Sequence, residues 1–235
     1  MVIPCAGTGS RTGADTPKQY IPLSGMPLVV HTLRAFTALP QMGKGVLVVA
    51  PEDSLMAQVF NEYPQTHFEI SRTGGTTRAQ SVLAGLRALQ QSGVSDNEWV
   101  MVHDAARCLI TPELIEKLWT SCRDDAVGGL LALPLPDTLK SGQDHRVLAT
   151  LPRNDKWLAQ TPQMFRLAEL MHALQTAGDQ VTDEASAFEV TGRYPKLVVA
   201  ASFNFKVTYA HDIQLAQAVL SSRGYLAPSP GNKKP

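Results

Sequence analysis

Short unbroken apolar runs recur along this chain, and each is followed by a stretch with helical periodicity. Val46-Leu47-Val48-Val49-Ala50 has no polar break, as a strand buried on both faces requires. Val2-Ile3-Pro4-Cys5-Ala6, Trp99-Val100-Met101-Val102-His103 and residues 128–134 read the same way, and residues 68–70 read as a shorter strand. Between them, residues 27–39, 52–62, 78–91 and 112–122 place apolar side chains three and four apart, as in Val82, Leu86 and Leu89, which predicts amphipathic helices. Pro112 suits the first turn of its helix, where a missing N–H leaves no bond unmade. Strands joined through helices run parallel, so the alternation predicts an α/β fold with a mostly parallel, doubly wound sheet flanked by helices.

The rhythm stops after Pro136. Residues 137–140 and 146–151 flank the polar turn Ser141-Gly142-Gln143-Asp144-His145 and predict a β-hairpin. It has little to bury within the sheet, and two isolated strands are marginal in water. Residues 137–160 are therefore expected to protrude as an arm that packs on a second copy of the chain. Helices over 166–177, 183–191 and 210–222 and a strand over 196–201 complete a single expected domain, 1–222. The proline-rich stretch 223–235 reads as a disordered, functionally silent tail. No internal repeat is visible.

Composition narrows the function classes. A length of 235 residues suits one α/β domain whose core needs neither disulfides nor a structural metal. Lysine plus arginine equals aspartate plus glutamate, 21 each, and a general nucleic-acid binder carries a basic surplus instead. Cys5, Cys108 and Cys122 are odd in number and far apart, which speaks against a disulfide framework or a zinc site and fits a reducing cytoplasm. No apolar run approaches the roughly 18 residues of a membrane span. The start lacks a basic segment with an apolar signal core and enters a strand almost at once, with little or no leader.

Chemistry is expected at the carboxyl ends of the strands. After the first strand come Gly7-Thr8-Gly9-Ser10-Arg11-Thr12-Gly13 and then Pro17-Lys18-Gln19-Tyr20. The bare N–H groups of a glycine-rich turn curl around anions, and Arg11 and Lys18 add full charges, which suits a polyphosphate. The spacing is neither a Walker A loop nor G-x-G-x-x-G, since Gly7, Gly9 and Gly13 are set G-x-G-x-x-x-G. Taken alone, the segment equally describes a glycine turn with two solvated cations. His103-Asp104-Ala105-Ala106-Arg107 follows another strand. Asp104 suits Mg²⁺ or a substrate hydroxyl, or else a strand-end cap or a pair with Arg107. His103 reads as structural and Cys5 as a small buried residue. Residues 71–81 offer small and hydroxyl side chains against which a flat base can approach the backbone. Thr182-Asp183-Glu184-Ala185-Ser186 reads as a capped helix start, and Lys206 is a lone lysine after the last strand.

Together these motifs resemble the 2-C-methyl-D-erythritol 4-phosphate cytidylyltransferase family over nearly the whole chain, from Val2 to about Leu220. The resemblance rests on Pro4 to Arg11, Pro17-Lys18-Gln19-Tyr20, Gly74-Gly75 with Arg78 and Ser81-Val82, and His103 to Arg107. Asp137-Thr138, Arg153-Asn154, Thr161-Pro162-Gln163, Thr182 to Ser186 and Lys206-Val207-Thr208 extend it. It implies a Rossmann-like nucleotide-diphospho-sugar transferase fold and a cytoplasmic homodimer joined by the arm, with sites shared between subunits. It implies that CTP and methylerythritol phosphate give 4-diphosphocytidyl-2-C-methyl-D-erythritol and pyrophosphate, with Mg²⁺ as cofactor, in the non-mevalonate isoprenoid pathway. By resemblance Arg11, Lys18 and Lys206 surround the reacting phosphates. Ala6, Gly7, Gly9, Gly75, Ser81 and Asp104 hold the nucleotide, with Asp104 also in the metal region. Arg107, Asp137, Thr138, Arg153, Thr161 and Thr182 meet the acceptor. Thr76 and Cys108 depart from an acidic residue and a proline common in the family. The rival readings are a ribitol-5-phosphate cytidylyltransferase, which would share the CTP half, and a non-catalytic CTP-binding regulator, against which the three cations argue. A dehydrogenase of Rossmann type ranks last.

Overall fold

The computed structural model describes residues 1–7, 16–178 and 181–224. Its strands are β1 (Val2–Pro4), β2 (Pro22–Leu23), β3 (Met26–Pro27), β4 (Gly45–Val48), β5 (Phe68–Ser71), β6 (Trp99–Val102), β7 (Gly129–Pro134), β8 (Leu139–Gln143), β9 (Arg146–Leu151), β10 (Trp157–Arg166) and β11 (Lys196–Val199). Its helices are α1 (Leu28–Thr37), α2 (Leu55–Glu62), α3 (Arg78–Gln91), α4 (Pro112–Cys122), α5 (Leu167–Ala177), α6 (Glu184–Val190) and α7 (Ala210–Ser222). The main sheet runs β11-β7-β10-β6-β1-β4-β5. All its pairings are parallel except those of β10, which is antiparallel to both β6 and β7.

Strand alternation sorts the core into two layers. Ile3, Leu47 and Leu131 face α1, α2 and α4. Val2, Val46, Val48, Val100, Val102 and Leu130 face α3, α5 and α6. Burial on both faces is why β4 carries no polar residue. Helix α7 covers a third cluster with Leu23, Leu28, Leu109 and Val207. The strands β2 and β3 form a separate small ribbon that leads into α1. Its turn residues Ser24 and Gly25 both take positive φ, 47° and 85°, as a two-residue hairpin turn that follows strand twist requires.

β10 is a strand that the apolar pattern does not predict. Gln160, Thr161 and Gln163 lie in its middle and are all buried, each held by hydrogen bonds rather than by apolar contact. Its register against β7 shifts between Ala159 and Gln163, and such a bulge re-aims side chains. The expected arm is present as a separate two-stranded sheet, β8 with β9, covering 139–151. Residues 157–159 instead pair with 132–134 of β7 and anchor its base in the main sheet. Every residue of β9 is exposed, Val147 and Leu148 at 66% each. Residues 225–235, most of the expected tail, lie outside the described residues.

Candidate active site

The chain goes from β1 outward to β4 and β5, then returns to place β6 on the other side of β1. That reversal makes a crevice at the carboxyl ends of β1 and β6, where open α/β sheets bind ligands. A cavity of about 410 Å³ opens there, lined among others by Ala6, Gly7, Lys18, Gly75, Thr76, Arg78, Ser81, Asp104 and Lys206. A cavity of about 490 Å³ at the opposite strand ends is lined by Phe36, Trp99, Trp119 and Met164 with one lysine, Lys44. It gathers no group of cations for a polyphosphate.

The backbone wall is built by close packing. Gly74 N–H donates to Val49 O at 2.9 Å, and a Cβ on Gly74 would sit 2.3 Å from the Ala6 Cβ and 2.7 Å from Val49 O. Only glycine lets the segment after β5 lie against the loop after β1. Ser81, 3% exposed, accepts from Gly75 N–H at 3.1 Å and donates to Thr77 O at 3.1 Å. It thereby fixes the turn that enters α3. Thr77 caps that helix by accepting from Gln80 N–H. Across the cavity, Gln19 Nε2 donates to Cys5 O at 2.8 Å and to Gly7 O at 3.4 Å. The 3-10 turn Lys18–Tyr20 is thus tied to β1, and Tyr20 donates to Asp53.

Asp104 is the charged centre. Its Oδ1 accepts from Arg78 Nε at 3.0 Å, and its Oδ2 pairs with Lys206 Nζ at 2.8 Å and lies 4.0 Å from Arg107 Nε. Burial opposes ionisation, but Arg78, Lys206 and Arg107 outweigh it and hold the carboxyl well below the usual carboxylate range. Its N–H donates to Thr161 Oγ1 at 3.0 Å, and the same hydroxyl meets His103 Nδ1 at 3.0 Å. His103 Nε2 lies 3.2 Å from Arg107 O. A carbonyl only accepts, so Nε2 carries the proton and Thr161 O–H donates to Nδ1. Burial pushes His103 down to about 3, so it is a neutral brace, and its structural reading holds. Cys5 is buried, and burial raises its thiol pKa.

Of the residues singled out from the sequence, Ala6, Gly7, Lys18, Gly75, Ser81, Asp104 and Lys206 meet at this cavity. Gly9 and Arg11 lie outside the described residues. Thr161 is 4% exposed and sits beneath the site with its hydroxyl spent on Asp104 and His103. Arg107 turns away to donate to Asn204 O at 2.9 Å and Ala159 O at 3.3 Å. Asp137, Thr138 and Arg153 are exposed at the arm, with Arg153 donating to Pro136 O. Thr182 is exposed just before α6. None of these six lines the cavity within one chain.

Sequence reasoning passed over Arg78 as a functional group. The signal was there, because a cation in the first turn of α3 opposes the helix dipole and needs a reason. The reason is a double pairing, to Asp104 and, through Nη1 at 2.6 Å and Nη2 at 3.1 Å, to Glu184.

A family model described as IspD, 2-C-methyl-D-erythritol 4-phosphate cytidylyltransferase, matches residues 1–222. A bifunctional enzyme IspD/IspF of Albidiferax ferrireducens is 56% identical over 222 residues, covering 94% of this chain, and the chain spans 53% of that relative's length. A 2-C-methyl-D-erythritol 4-phosphate cytidylyltransferase of Chromobacterium violaceum is 47% identical, with 94% of this chain and 97% of the relative covered. Among solved structures, a 4-diphosphocytidyl-2C-methyl-D-erythritol synthase is 34% identical with a TM-score of 0.83, covering 93% of this chain and 96% of its own. The Francisella tularensis cytidylyltransferase is 31% identical with a TM-score of 0.80, covering 93% and 98%.

Proposed function

Because the chain belongs to the 2-C-methyl-D-erythritol 4-phosphate cytidylyltransferase family, we propose that this cavity transfers a cytidylyl group from CTP to methylerythritol phosphate, a step of isoprenoid synthesis. The observation that carries the assignment is the meeting of Lys18 and Lys206, from opposite ends of the chain, beside the Asp104–Arg78 pair and over a wall of bare backbone. An anionic acceptor oxygen forms a bond to the α-phosphorus of CTP. The bond from that phosphorus to the bridging oxygen breaks, and pyrophosphate leaves with the electron pair. A phosphate monoester is already anionic at neutral pH, so the step needs no general base, which agrees with His103 being neutral and sealed.

The obstacle is repulsion between two anions and the charge that grows on the phosphorus oxygens. Fixed cations and positioning supply most of the catalysis in such transfers. Lys18 donates to Val207 O at 3.2 Å and Lys206 is held on Asp104, so both ammonium groups are placed before substrate arrives. The family resemblance assigns Arg11 to the same phosphates and Gly9 to the nucleotide, alongside Gly7, Gly75 and Ser81 of the cavity wall.

Asp104 is the one acidic side chain among the described residues lining the cavity, and both its oxygens already face cations. That donor set does not fit a resident metal cage. It fits Mg²⁺ arriving with the triphosphate, since Mg²⁺ is usually held by one or two carboxylates plus substrate phosphates. Held by Asp104 and the triphosphate, such an ion would neutralise phosphate charge and favour pyrophosphate departure.

The acceptor half lies at the subunit boundary of a homodimer. The fully exposed strand β9 and the apolar side chains Val147, Leu148 and Leu158 support an arm that reaches a second copy. Asp137, Thr138, Arg153 and Thr182 then approach the partner's cavity, while Arg107 and Thr161 brace it from below. Three unpaired, buried cysteines favour the cytoplasm, and no helix among the described residues is long and apolar enough to cross a membrane. The test is pyrophosphate release with CTP and Mg²⁺, comparing methylerythritol phosphate with ribitol 5-phosphate. Release with the first alone is expected. Release with ribitol phosphate alone would reassign the acceptor, and CTP binding without any release would overturn the assignment.

A further inference from the structure

We infer that Glu184 is a positioning residue for the transfer reaction, acting through Arg78 on Asp104. The inference rests on the cytidylyl-transfer reading of the cavity. Glu184 opens α6 directly after the N-cap Asp183. An acidic residue in a first helical turn normally stays in solvent and serves the dipole, yet Glu184 is 0% exposed. Both its oxygens are taken by Arg78, at 2.6 and 3.1 Å. The remaining Nε of the guanidinium meets Asp104 at 3.0 Å, and the other oxygen of Asp104 holds Lys206 at 2.8 Å. An unbroken chain of charges therefore runs from α6, through α3 and the end of β6, to the lysine over the phosphates.

A guanidinium gripped on three nitrogens by two carboxylates cannot rotate, because its fork is planar and rigid. Stability alone does not call for this, since apolar side chains of equal volume fill such a space as well or better. The pair does two things that an apolar filling would not. It neutralises Arg78, so that Lys18 and Lys206 remain the cations presented to the phosphates. It also holds Arg78, and through it Asp104 and Lys206, in one place, and misplacement of about 1 Å can lower such a rate about 10²-fold.

The test compares wild type, Glu184→Gln, Glu184→Asp and the doubly neutral Arg78→Gln/Glu184→Gln, each checked for folding by thermal unfolding. The double variant leaves no unpaired buried charge, so it reports even where Glu184→Gln fails to fold. Expected for Glu184→Gln is a kcat lower by about 10- to 100-fold with KM for CTP within about threefold, and recovery of most of that loss in Glu184→Asp. The double variant should stay slow. A folded Glu184→Gln or double variant with kcat within twofold of wild type would overturn the inference, as would a loss confined to KM for CTP. A wild-type chain silent towards both acceptors would instead remove the transfer reading on which the inference stands.

Discussion

Lys206→Met removes one full charge from the cavity and keeps most of the side chain's bulk. In the structure that ammonium lies 2.8 Å from Asp104 Oδ2, with the lysine side chain 36% exposed. Two unit charges about 4 Å apart attract by about 4 kcal/mol at an effective dielectric near 20, and loss of one preorganised oxyanion donor costs about 10²–10³ in kcat. Partial exposure screens the lysine, so the lower end is expected, about 10²-fold. Stability should change little. Asp104 stays paired with Arg78 at 3.0 Å, so no buried charge is left alone, and loss of the part-exposed lysine is expected to cost about 1 kcal/mol, or about 2–4 °C in Tm for a chain of this size. Steady-state pyrophosphate release and a thermal melt, run on the same preparation, separate the two effects. A folded variant with kcat within threefold of wild type would refute the reasoning. So would a Tm drop above about 10 °C, because the lysine would then be holding the fold and not the phosphates.

Thr161→Val should destabilise by about 1–3 kcal/mol in denaturant titrations, since it leaves the buried N–H of Asp104 without its acceptor; a change below about 0.5 kcal/mol would contradict that. The folded carboxyl of Asp104 titrates below its ordinary range. Its pairing therefore stabilises the fold above about pH 4 and is lost as pH falls through the depressed value. The stability gap between wild type and Asp104→Asn should be flat from about pH 8 to pH 5 and shrink below that, and a gap that widens in acid would reverse the sign of the argument. Leu148→Glu places a charge on an arm side chain that is 66% exposed in one chain. Sedimentation should show a dimer for wild type and a monomer for the variant, and a wild type that is monomeric at tens of micromolar would remove the arm's proposed role.

The parallel half of the sheet was legible because strands packed on both faces leave unbroken apolar runs, fully buried in β4 and partly buried on one face in β6. The loops after β1 and β6 could then be placed at one end by topology alone. β10 was not legible. Its middle, Gln160-Thr161-Pro162-Gln163, reads as a polar loop, and its burial is made possible by partners distant in sequence. Asn204 Nδ2 donates to Gln160 Oε1 at 2.7 Å, Gln163 Nε2 to Asp183 Oδ2 at 2.8 Å, and Ala185 N–H to Gln163 Oε1 at 2.8 Å. No local pattern announces such bonds. Lys206 could be named but not placed, because only the fold carries it from the segment after β11 to the end of β6. Glu184 was hidden for the opposite reason: an acid after an N-cap is so ordinary that its complete burial left no trace in the pattern.

The neutral balance of the chain and the crowding of cations at the cavity are parts of one arrangement. With 21 positive and 21 negative residues, no overall surplus steers polyanions to the surface. At physiological salt the Debye length is about 8 Å, so Lys18 and Lys206 act mainly on what has entered the crevice. Neighbouring cations repel, and a long lysine left alone swings into solvent. Asp104 stops this by accepting Arg78 on one oxygen and Lys206 on the other. A single buried carboxylate would itself be costly to ionise, and those same cations are what keep it charged. Arg78 is fixed in turn by Glu184, whose pairing reaches back into α6. Each charge is oriented by its opposite before any substrate is present, and preorganisation of that kind avoids reorganisation during the transfer itself. Asp104 therefore matters less as a ligand than as the anchor that decides where the cations stand.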